Sequence, residues 1–471
     1  MVLMPSTRAK SANVSLEKLQ SRLQGSVFVP GDLGYDDSRK AWNVNVDHRP
    51  AVIVIARSTN DVVEAIRFAN EKDLGVAVQS TGHGVSRPAD NDSLLIIMAH
   101  MRNVVVDAKG QTAWVEGGAK WAVVLEKAQA VGLAPLLGSS PDVGAVGYTL
   151  GGGMGWLARK HGLSADSVNF FEVVNASGET LHVSAEENSD LFWGLRGGGG
   201  SFGVITGMEM RLYPVTTVFG GNLMYPVAVA KEVFTRYREW IKNAPDELTA
   251  SIGIMNFPPI PQVPEFLRGQ SAVFVRGCFA GPVEEGKALI QPWLDWMEPM
   301  VNQWRLMPFS QVGMISNEPE DPSPGLSTGL WLRELTNEAI DTILKHAISV
   351  NGSSAIVVTE IRYAGGAIGK VKADVNAYGN RDANLLLQMI GMAPTPEIEQ
   401  VLKGQLSQVK EALGSHLTGS VYINFMEGEE KWARTKDAFL PETYQKLMAL
   451  KALHDPQNRF RYSFNIPPKK A

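Results

Sequence analysis

A single histidine, His83, stands between two glycines in the segment STGHG, residues 80–84. Glycine neighbours let the backbone adopt positive φ angles and approach a bound group closely. An imidazole in such a turn can contact a bound molecule or be covalently bonded to it, whereas the alternative is an ordinary polar turn residue. The preceding run VAVQS, residues 76–80, is typical of a strand, which would deliver the histidine to a fixed place.

Two further glycine-rich turns follow, at 138–155 and 197–203. Residues 75–207 hold 23 of the 46 glycines of the 471-residue chain, nearly twice an even share. Loops of this kind expose backbone N–H groups that can bind phosphate oxygens without a charged side chain. Each loop alone could be a tight turn, but three together favour a nucleotide site.

The usual dinucleotide and phosphate-loop motifs do not explain these glycines. Gly198, Gly200 and Gly203 form a literal G-x-G-x-x-G, but a predicted helix precedes it and a strand follows. That order is the reverse of the strand–turn–helix order that a Rossmann site requires. Gly153 and Gly155 give a looser match without a buried strand before it, and no P-loop lysine is present.

Composition excludes several classes of function. The chain is 44% hydrophobic and 20% charged with a formal net charge of −5, so no basic surface indicates nucleic acid or anionic lipid. The lone Cys278 cannot form an intramolecular disulfide, and the eight histidines lack zinc-site spacing, so no metal is expected. Without a signal peptide or spanning segment we expect a cytoplasmic protein. The charged run EGEEK, 427–431, is interpreted as solvated surface.

The first half of the chain reads as α+β. Strands are predicted at 51–56, 76–80, 94–98, 103–107, 112–118 and in two segments of 168–184, with a long strand after the loop at 197–203. Thr59 and Asp61 open an amphipathic helix closed by Gly75, and further helices are expected at about 119–131 and 186–195. Cys278 lies in a predicted buried strand, and from about 216 to 430 Pro-rich loops separate strands and helices.

These motifs together resemble a known family. The segment 138–168, with STGHG before it and DLFWGLRGGGGSFGVIT (190–206) after it, resembles the FAD domain of the vanillyl-alcohol-oxidase superfamily. The tail segments VYINF (421–425) and HDPQNRFRYSFNIPP (454–468) resemble its berberine-bridge-enzyme-like branch. The resemblance implies a PCMH-type FAD-binding domain of two α/β subdomains at 1–215. It also implies an α+β substrate domain, an antiparallel sheet covered by helices, at 216–430, and a returning C-terminal segment at 431–471.

The resemblance implies one covalent bond to the cofactor. In the family, a histidine closing an R-S-G-G-H turn is bonded to the flavin 8α-methyl group, and His83 falls on that position, although Gln79 and Thr81 depart from the motif. A second bond comes in relatives from a cysteine, whose place Ser140 takes here, so at most one attachment is expected. Val143 matches a position where a small residue goes with reactivity toward oxygen; it could also be a core valine.

The remaining cofactor contacts implied by the resemblance come mainly from backbone groups. The segment 147–155 should hold the diphosphate and flank the isoalloxazine ring. The implied contacts, besides those already named, are Ser80, Thr81, Gly82, Gly84, Gly138, Ser139, Gly144, Gly147, Tyr148, Leu150, Gly151, Gly152, Gly153, Gly155, Gly203, Val204, Ile205 and Asn465.

The base that takes the substrate proton is less well defined. Tyr422 matches a recurrent active-site tyrosine, but Phe425 replaces the second tyrosine that relatives often carry. The other candidates are His161, Gln388, Glu360 and Tyr363. Each of these side chains could instead have a purely structural role. If the strand pairs one residue out of the assumed register, Gln388 points away from the site.

The resemblance therefore implies an FAD-dependent oxidase that transfers a hydride from a small alcohol, sugar or secondary metabolite to flavin N5. Oxygen would be the acceptor and hydrogen peroxide the product. Two alternatives stay open: a flavin dehydrogenase with another acceptor, and a flavin-binding protein without turnover. Neither nucleic acid nor a membrane is an expected partner.

Overall fold

The computed structural model describes residues 15–85, 87–349 and 354–470. It contains three β-sheets. The strands are β1 Ser26–Phe28, β2 Val52–Ile55, β3 Gly75–Gln79, β4 Ser93–Ile97, β5 Val104–Asp107, β6 Thr112–Glu116, β7 Val168–Val174, β8 Thr180–Ser184, β9 Val204–Arg211, β10 Thr217–Pro226, β11 Leu248–Asn256, β12 Ser271–Phe279, β13 Val301–Asn302, β14 Arg305–Pro308, β15 Gly325–Leu332, β16 Ile356–Tyr363, β17 Leu385–Met392 and β18 Leu417–Val421.

Helices connect and cover these sheets. The α-helices are Tyr35–Ser38, Thr59–Lys72, Trp121–Gln129, Ala145–Leu150, Ala158–His161, Ser189–Gly198, Ala230–Ile241, Val283–Trp296, Asn337–Ala347, Ala367–Lys370, Pro396–Leu413, Gly428–Ala433 and Pro441–His454. Short 3₁₀ helices lie at Ser164–Ser167, Val227–Val229, Glu265–Leu267, Phe309–Ile315, Gly414–His416, Ile423–Phe425 and Thr435–Ala438.

The first sheet has the order β1-β2-β4-β3, with β2, β3 and β4 parallel. The helix Thr59–Lys72 connects β2 to β3 and buries its apolar side against them. Ser58 caps its N-terminus by accepting a hydrogen bond from the N–H of Asp61. The prediction that Gly75 closes this helix is wrong: Asp73, with φ of 54°, is the left-handed cap, and Gly75 begins β3.

The second sheet, β5-β6-β9-β7-β8, is antiparallel throughout. The helices Trp121–Gln129 and Ser189–Gly198 contribute buried side chains to the same core as this sheet. The strands and helices predicted between residues 51 and 211 are therefore confirmed, with ends displaced by a few residues.

The third sheet has nine strands in the order β13-β10-β12-β11-β16-β17-β15-β18, with β14 also paired to β10. Every pair in it is antiparallel. Side chains alternate between two faces. One face is apolar and packs with helices such as Ala230–Ile241 and Pro396–Leu413, whereas the other carries buried polar side chains. Cys278 is buried in β12, as predicted.

The C-terminal segment returns to the first half of the chain. Lys451 donates from Nζ to the carbonyl of Ser201 at 2.6 Å, and Arg459 donates to the carbonyl of Leu74 at 2.9 Å. The Lys451 side chain is fully buried, so its hydrogen bond to Ser201 belongs to the packed interior of the protein. The sheets give an α+β fold, while the domain boundaries at 215 and 430 stay predictions. Within the described residues, no helix combines the length and apolarity that crossing a membrane needs.

Candidate active site

The turn with His83 is held by the segment just before β2. Trp42 N–H donates to the carbonyl of Thr81, and Gly82 has φ of +83°. A Cβ on Gly82 would lie 2.7 Å from the backbone of Ala41, so both the conformation and the space require glycine. The imidazole stacks on the ring of Trp42 with 4.2 Å between centroids. The turn is therefore a fixed element of the fold.

The His83 ring is kept neutral and oriented. Its Nδ1 lies 2.8 Å from Thr81 Oγ1, and its Nε2 lies 3.7 Å from a carboxylate oxygen of Asp142. Burial lowers the pKa of His83 to about 4, although Asp142 opposes this shift. Lys120 pairs with the other oxygen of Asp142 at 2.5 Å. A neutral imidazole retains the nitrogen lone pair that a bond to an electrophilic carbon requires.

The second glycine-rich loop lies against this turn. A Cβ on Gly144 would be 3.0 Å from Ser80 Oγ, which shows how closely the two loops approach. Gly152 and Gly153 have φ of +104° and +79°, and added Cβ atoms would collide with the rings of Tyr378 and Tyr148. Successive residues with positive φ angles can turn their backbone N–H groups toward a common point, which allows them to bind an anion. Val143 is half-buried beside this loop.

The third loop joins the second one and the tail. Gly199 N–H donates to the carbonyl of Leu150 at 3.0 Å, and Ser201 Oγ donates to the carbonyl of Phe464 at 2.9 Å. Gly203 leads directly into β9, where Val204 and Ile205 are buried. The helix–loop–strand order predicted for residues 189–211 is therefore confirmed, which removes the Rossmann interpretation.

Tyr422 is brought to the second loop from the other half of the molecule. It follows β18 directly and is 2% exposed. Its hydroxyl oxygen accepts hydrogen bonds from Met154 N–H at 3.0 Å and from Asn424 Nδ2 at 3.3 Å. Burial raises the pKa of Tyr422, and these two donors together with the charge of Arg362 oppose the rise. The donors favour the deprotonated form of the oxygen, but burial outweighs them and the pKa of Tyr422 stays above its ordinary value.

Glu360 and Gln388 face each other across β16 and β17. Although burial would raise the pKa of Glu360, Arg276 and Arg362 hold it at about 2. Its oxygens accept hydrogen bonds from both guanidinium groups and from Ser251. A carboxylate so stabilised is a weak base, which disfavours the predicted catalytic role of Glu360. Gln388 is buried, and its Oε1 has no hydrogen-bond partner within the described part of the chain; its pairing with Glu360 puts both side chains on the same face of the sheet.

The structure does not place His161 with these groups. Its ring stacks on Tyr213 with 4.1 Å between centroids, and burial lowers the pKa of His161 to about 4. Tyr363 lies closer to the site, since it lines a cavity with Ser139 and Met154. The guanidinium of Arg159 covers the Tyr363 ring at 4.0 Å, which supports a packing role.

Two buried cations here were not recognised from the sequence. Arg362 lies beside the loop at Ser139, and Lys431 donates from Nζ to the carbonyl of Gly84 at 2.8 Å. The interpretation of residues 427–431 as solvated surface is wrong for Glu427 and Lys431. Lys431 is buried, and Glu427 is half-buried with its Oε2 inaccessible to solvent. Burial lowers the pKa of Lys431 to about 8. The alternation of charged residues in TEIRY was the available signal for Arg362, but only the strand register shows which way it points.

Several buried polar atoms in this region have no hydrogen-bond partner among the described residues. An unpaired buried polar group costs about 1–3 kcal/mol, so such atoms mark a place where a polar molecule can bind. They come from the first turn, the second loop, strand β17, the connection between β16 and β17, and the tail, and they suit the polar edges of a flavin nucleotide. The atoms are Ser80 Oγ, Tyr148 OH, Tyr378 OH, Gln388 Oε1 and Asn465 Oδ1.

Comparisons with known proteins agree with this geometry. The FAD binding domain family matches residues 50–184, and the berberine and berberine-like family matches residues 421–467. An FAD-linked oxidoreductase of Dictyostelium discoideum is 28% identical over 99% of both chains. The (R)-6-hydroxynicotine oxidase of Paenarthrobacter nicotinovorans is 27% identical over 95% of this chain and 97% of its own. The solved structure of a chitooligosaccharide oxidase superposes with a TM-score of 0.83 at 23% identity, covering 97% of this chain and all of that one.

Fold and site therefore define an FAD-linked oxidoreductase with a PCMH-type FAD-binding domain. The chain carries an FAD binding domain and a berberine-like C-terminal segment, and it is similar over nearly its whole length to FAD-linked oxidases. The predicted resemblance is thereby confirmed, with the family models matching residues 50–184 and 421–467.

Proposed function

We propose that this chain is an oxidase with a covalently held FAD. The reaction removes a hydride and a proton from a C–H/O–H or C–H/N–H unit of a small organic molecule, and O₂ receives both and becomes H₂O₂. Bound FAD would supply the two-electron acceptor, at N5, and the route to oxygen. The observation that carries the proposal is the meeting of Tyr422 with Met154, because it joins a buried proton-accepting group to the loop that would flank the flavin.

Different residues would attach the flavin, bind its diphosphate and accept the substrate proton. His83 would form the single tether, since its ring is neutral and fixed, and Ser140 has no thiol for a second bond. Gly144, Gly147 and the glycines that follow would hold the diphosphate through backbone amides. Tyr422 would accept the substrate proton at its phenolic oxygen, with Met154 N–H and Asn424 fixing that oxygen in place.

A substrate screen under anaerobic conditions tests the proposal. The panel would contain oligosaccharides, hydroxylated N-heterocycles and hydroxy acids, because relatives include chitooligosaccharide and hydroxynicotine oxidases. A substrate should bleach the flavin absorbance, and admitting air should restore the colour with one H₂O₂ for each product. Bleaching with slow reoxidation would indicate the dehydrogenase, and no bleaching by any compound would favour a flavin-binding protein without turnover.

The Val143→Leu variant provides the control for oxygen reactivity. The family resemblance associates a small residue here with access of oxygen, so this variant should bleach at the wild-type rate but reoxidise more slowly. Equal reoxidation rates would remove Val143 from the proposal without affecting the proton-transfer role of Tyr422.

A further inference from the structure

The polar face of the nine-stranded sheet carries a buried cluster of three charged side chains. Ser251 of β11 is opposite Arg276 of β12 and Arg362 of β16, so these residues share one face of the sheet. Glu360 lies between the two arginines. Its Oε1 is 2.8 Å from Arg276 Nη2, and its Oε2 is 3.0 Å from Arg362 Nε.

The charges of this cluster do not cancel. Two guanidinium groups face one carboxylate, and the side chains of Arg276, Glu360 and Arg362 are 6%, 1% and 12% exposed. Glu318 adds a negative charge that acts on Arg362 from an exposed loop, where water screens it. A buried excess positive charge is unfavourable unless an anion compensates it. The cluster therefore has the charge to accept one monovalent anion.

Arg362 has the free donors for that anion. Its Nε is committed to Glu360, its Nη2 makes only a long contact of 3.4 Å with Ser139 Oγ, and Nη1 has no hydrogen-bond partner among the described residues. Its guanidinium packs over the ring of Phe425 at 4.7 Å, which fixes its plane. Arginine held in this way presents two N–H groups in the geometry that a carboxylate matches.

The free donors lie at a cavity beside the loop that would flank the flavin. Ser139, Met154, Trp156, Ser251 and Tyr363 line this cavity together with Arg362. Its volume of about 10 Å³ is the room of about one water-sized group. It has room for one oxygen of a head group, and the rest of the substrate would extend toward Tyr422, whose ring packs on the same Phe425 ring as the Arg362 guanidinium.

We infer that the substrate of this enzyme is an organic carboxylate, whose carboxyl group Arg362 binds and whose oxidised carbon lies near Tyr422. A singly charged carboxylate matches the excess charge, whereas a phosphate dianion exceeds it. Arg276 and Glu360 act as positioning residues that hold the Arg362 side chain. The inference rests on the proposed function, since it names the substrate class of that site.

Matched ligand pairs test the inference without turnover. Calorimetry would measure the binding of benzoate and of benzamide, acetate and acetamide, and glucuronate and glucose to the holoenzyme as purified. The best acid should bind at least about tenfold more tightly than its neutral partner, as expected for a charge-assisted hydrogen bond to arginine. This preference should fall as salt is added. Equal affinity for acid and neutral partner in all three pairs would overturn the inference.

Charge variants locate the binding group. Arg362→Gln should abolish the preference for the acid, and Arg362→Lys should retain part of it. Lys231→Gln removes one positive charge from the exposed pair with Asp341 and should change nothing. An unchanged preference in Arg362→Gln would overturn the assignment. If Arg362→Gln fails to fold, the assignment is tested with Arg362→Lys and with the salt dependence of the wild-type preference. An acid preference that is unchanged in Arg362→Lys and insensitive to salt would overturn it. Failure of the proposed function would appear separately, as flavin that no substrate bleaches.

Discussion

The glycine-rich loops between residues 80 and 203 and the polar face of the nine-stranded sheet contribute to the same site in different ways. The loops act through their backbone, because Gly82, Gly152 and Gly153 adopt left-handed conformations at places where a Cβ would collide. The sheet acts through side chains such as Glu360 and Arg362. Under the proposed function, the backbone contacts would recognise the flavin, whereas the side chains of the sheet would recognise the substrate.

This difference predicts where substitutions change cofactor retention and where they change chemistry. A substitution in the loops should affect how the flavin is held, and one near the sheet should affect turnover with the flavin in place.

The first prediction concerns the tether. His83→Ala removes the only side chain proposed to bond to the flavin, so acid precipitation should release all of its colour to the supernatant, whereas wild-type colour stays with the pellet. Ser140→Ala is the control and should behave as wild type. Colour retained by His83→Ala would mean that another residue forms the bond, and release from the wild type would show that no bond exists.

The second prediction concerns proton transfer. Tyr422→Phe removes the phenolic oxygen but leaves the ring packed against Tyr378 and Trp331. We expect kcat to fall by about 10²–10⁴-fold, the usual contribution of a general base, with flavin content unchanged. The measurement is the rate of anaerobic flavin bleaching by a substrate from the screen. A rate within about threefold of the wild type would exclude Tyr422 as the base.

Residues near the sequence motifs could be predicted, and those of the sheet largely could not. His83, the three loops and Tyr422 belong to contiguous motifs, and local glycine chemistry determines their conformation. Arg362 and Gln388 lie on strands whose partners are distant in the chain, so their orientation depends on a register that the sequence does not show. Lys431 was misread because a charged run is usually exposed, whereas here it packs against the carbonyl of Gly84.

The third prediction concerns pH and the support of the His83 turn. The buried His48 accepts the N–H of Ala89 at Nδ1, so its Nε2 carries the proton donated to Gln79 at 3.1 Å. Burial lowers the pKa of His48 to about 4 from 6.5. Between these values the unfolded chain binds more protons, so stability present above pH 6.5 is lost as pH falls toward 4. The full loss is about 3 kcal/mol.

His48→Gln should flatten the dependence of Tm on pH between 4 and 6.5. His83 and His161 also have lowered pKa values, so the wild type retains other pH-dependent contributions, and the difference between the two proteins isolates His48. Parallel curves for wild type and variant would show that His48 does not contribute to the acid sensitivity.

The last prediction compares two glycines of one loop. A Cβ on Gly151 would lie 1.9 Å from Asn424 Oδ1, whereas a Cβ on Gly147 would meet nothing within 4 Å. Gly151→Ala should therefore displace Asn424 from Tyr422 and lower the stability of the flavin-free protein by about 1–3 kcal/mol. Gly147 lies inside the helix Ala145–Leu150, where alanine should stabilise that protein by about 0.5–1 kcal/mol.

Flavin binding then separates a structural glycine from a cofactor-facing one. If the open space at Gly147 is where the diphosphate binds, Gly147→Ala should weaken flavin uptake despite its higher Tm. Each variant would be prepared on a His83→Ala background so that uptake is reversible, and flavin fluorescence quenching would give Kd. A Gly147→Ala protein that is stabilised and also binds flavin normally would place the diphosphate elsewhere. In that case the glycines of this loop would be required only because Asn424, Tyr378 and Tyr148 pack too closely against them for a Cβ atom.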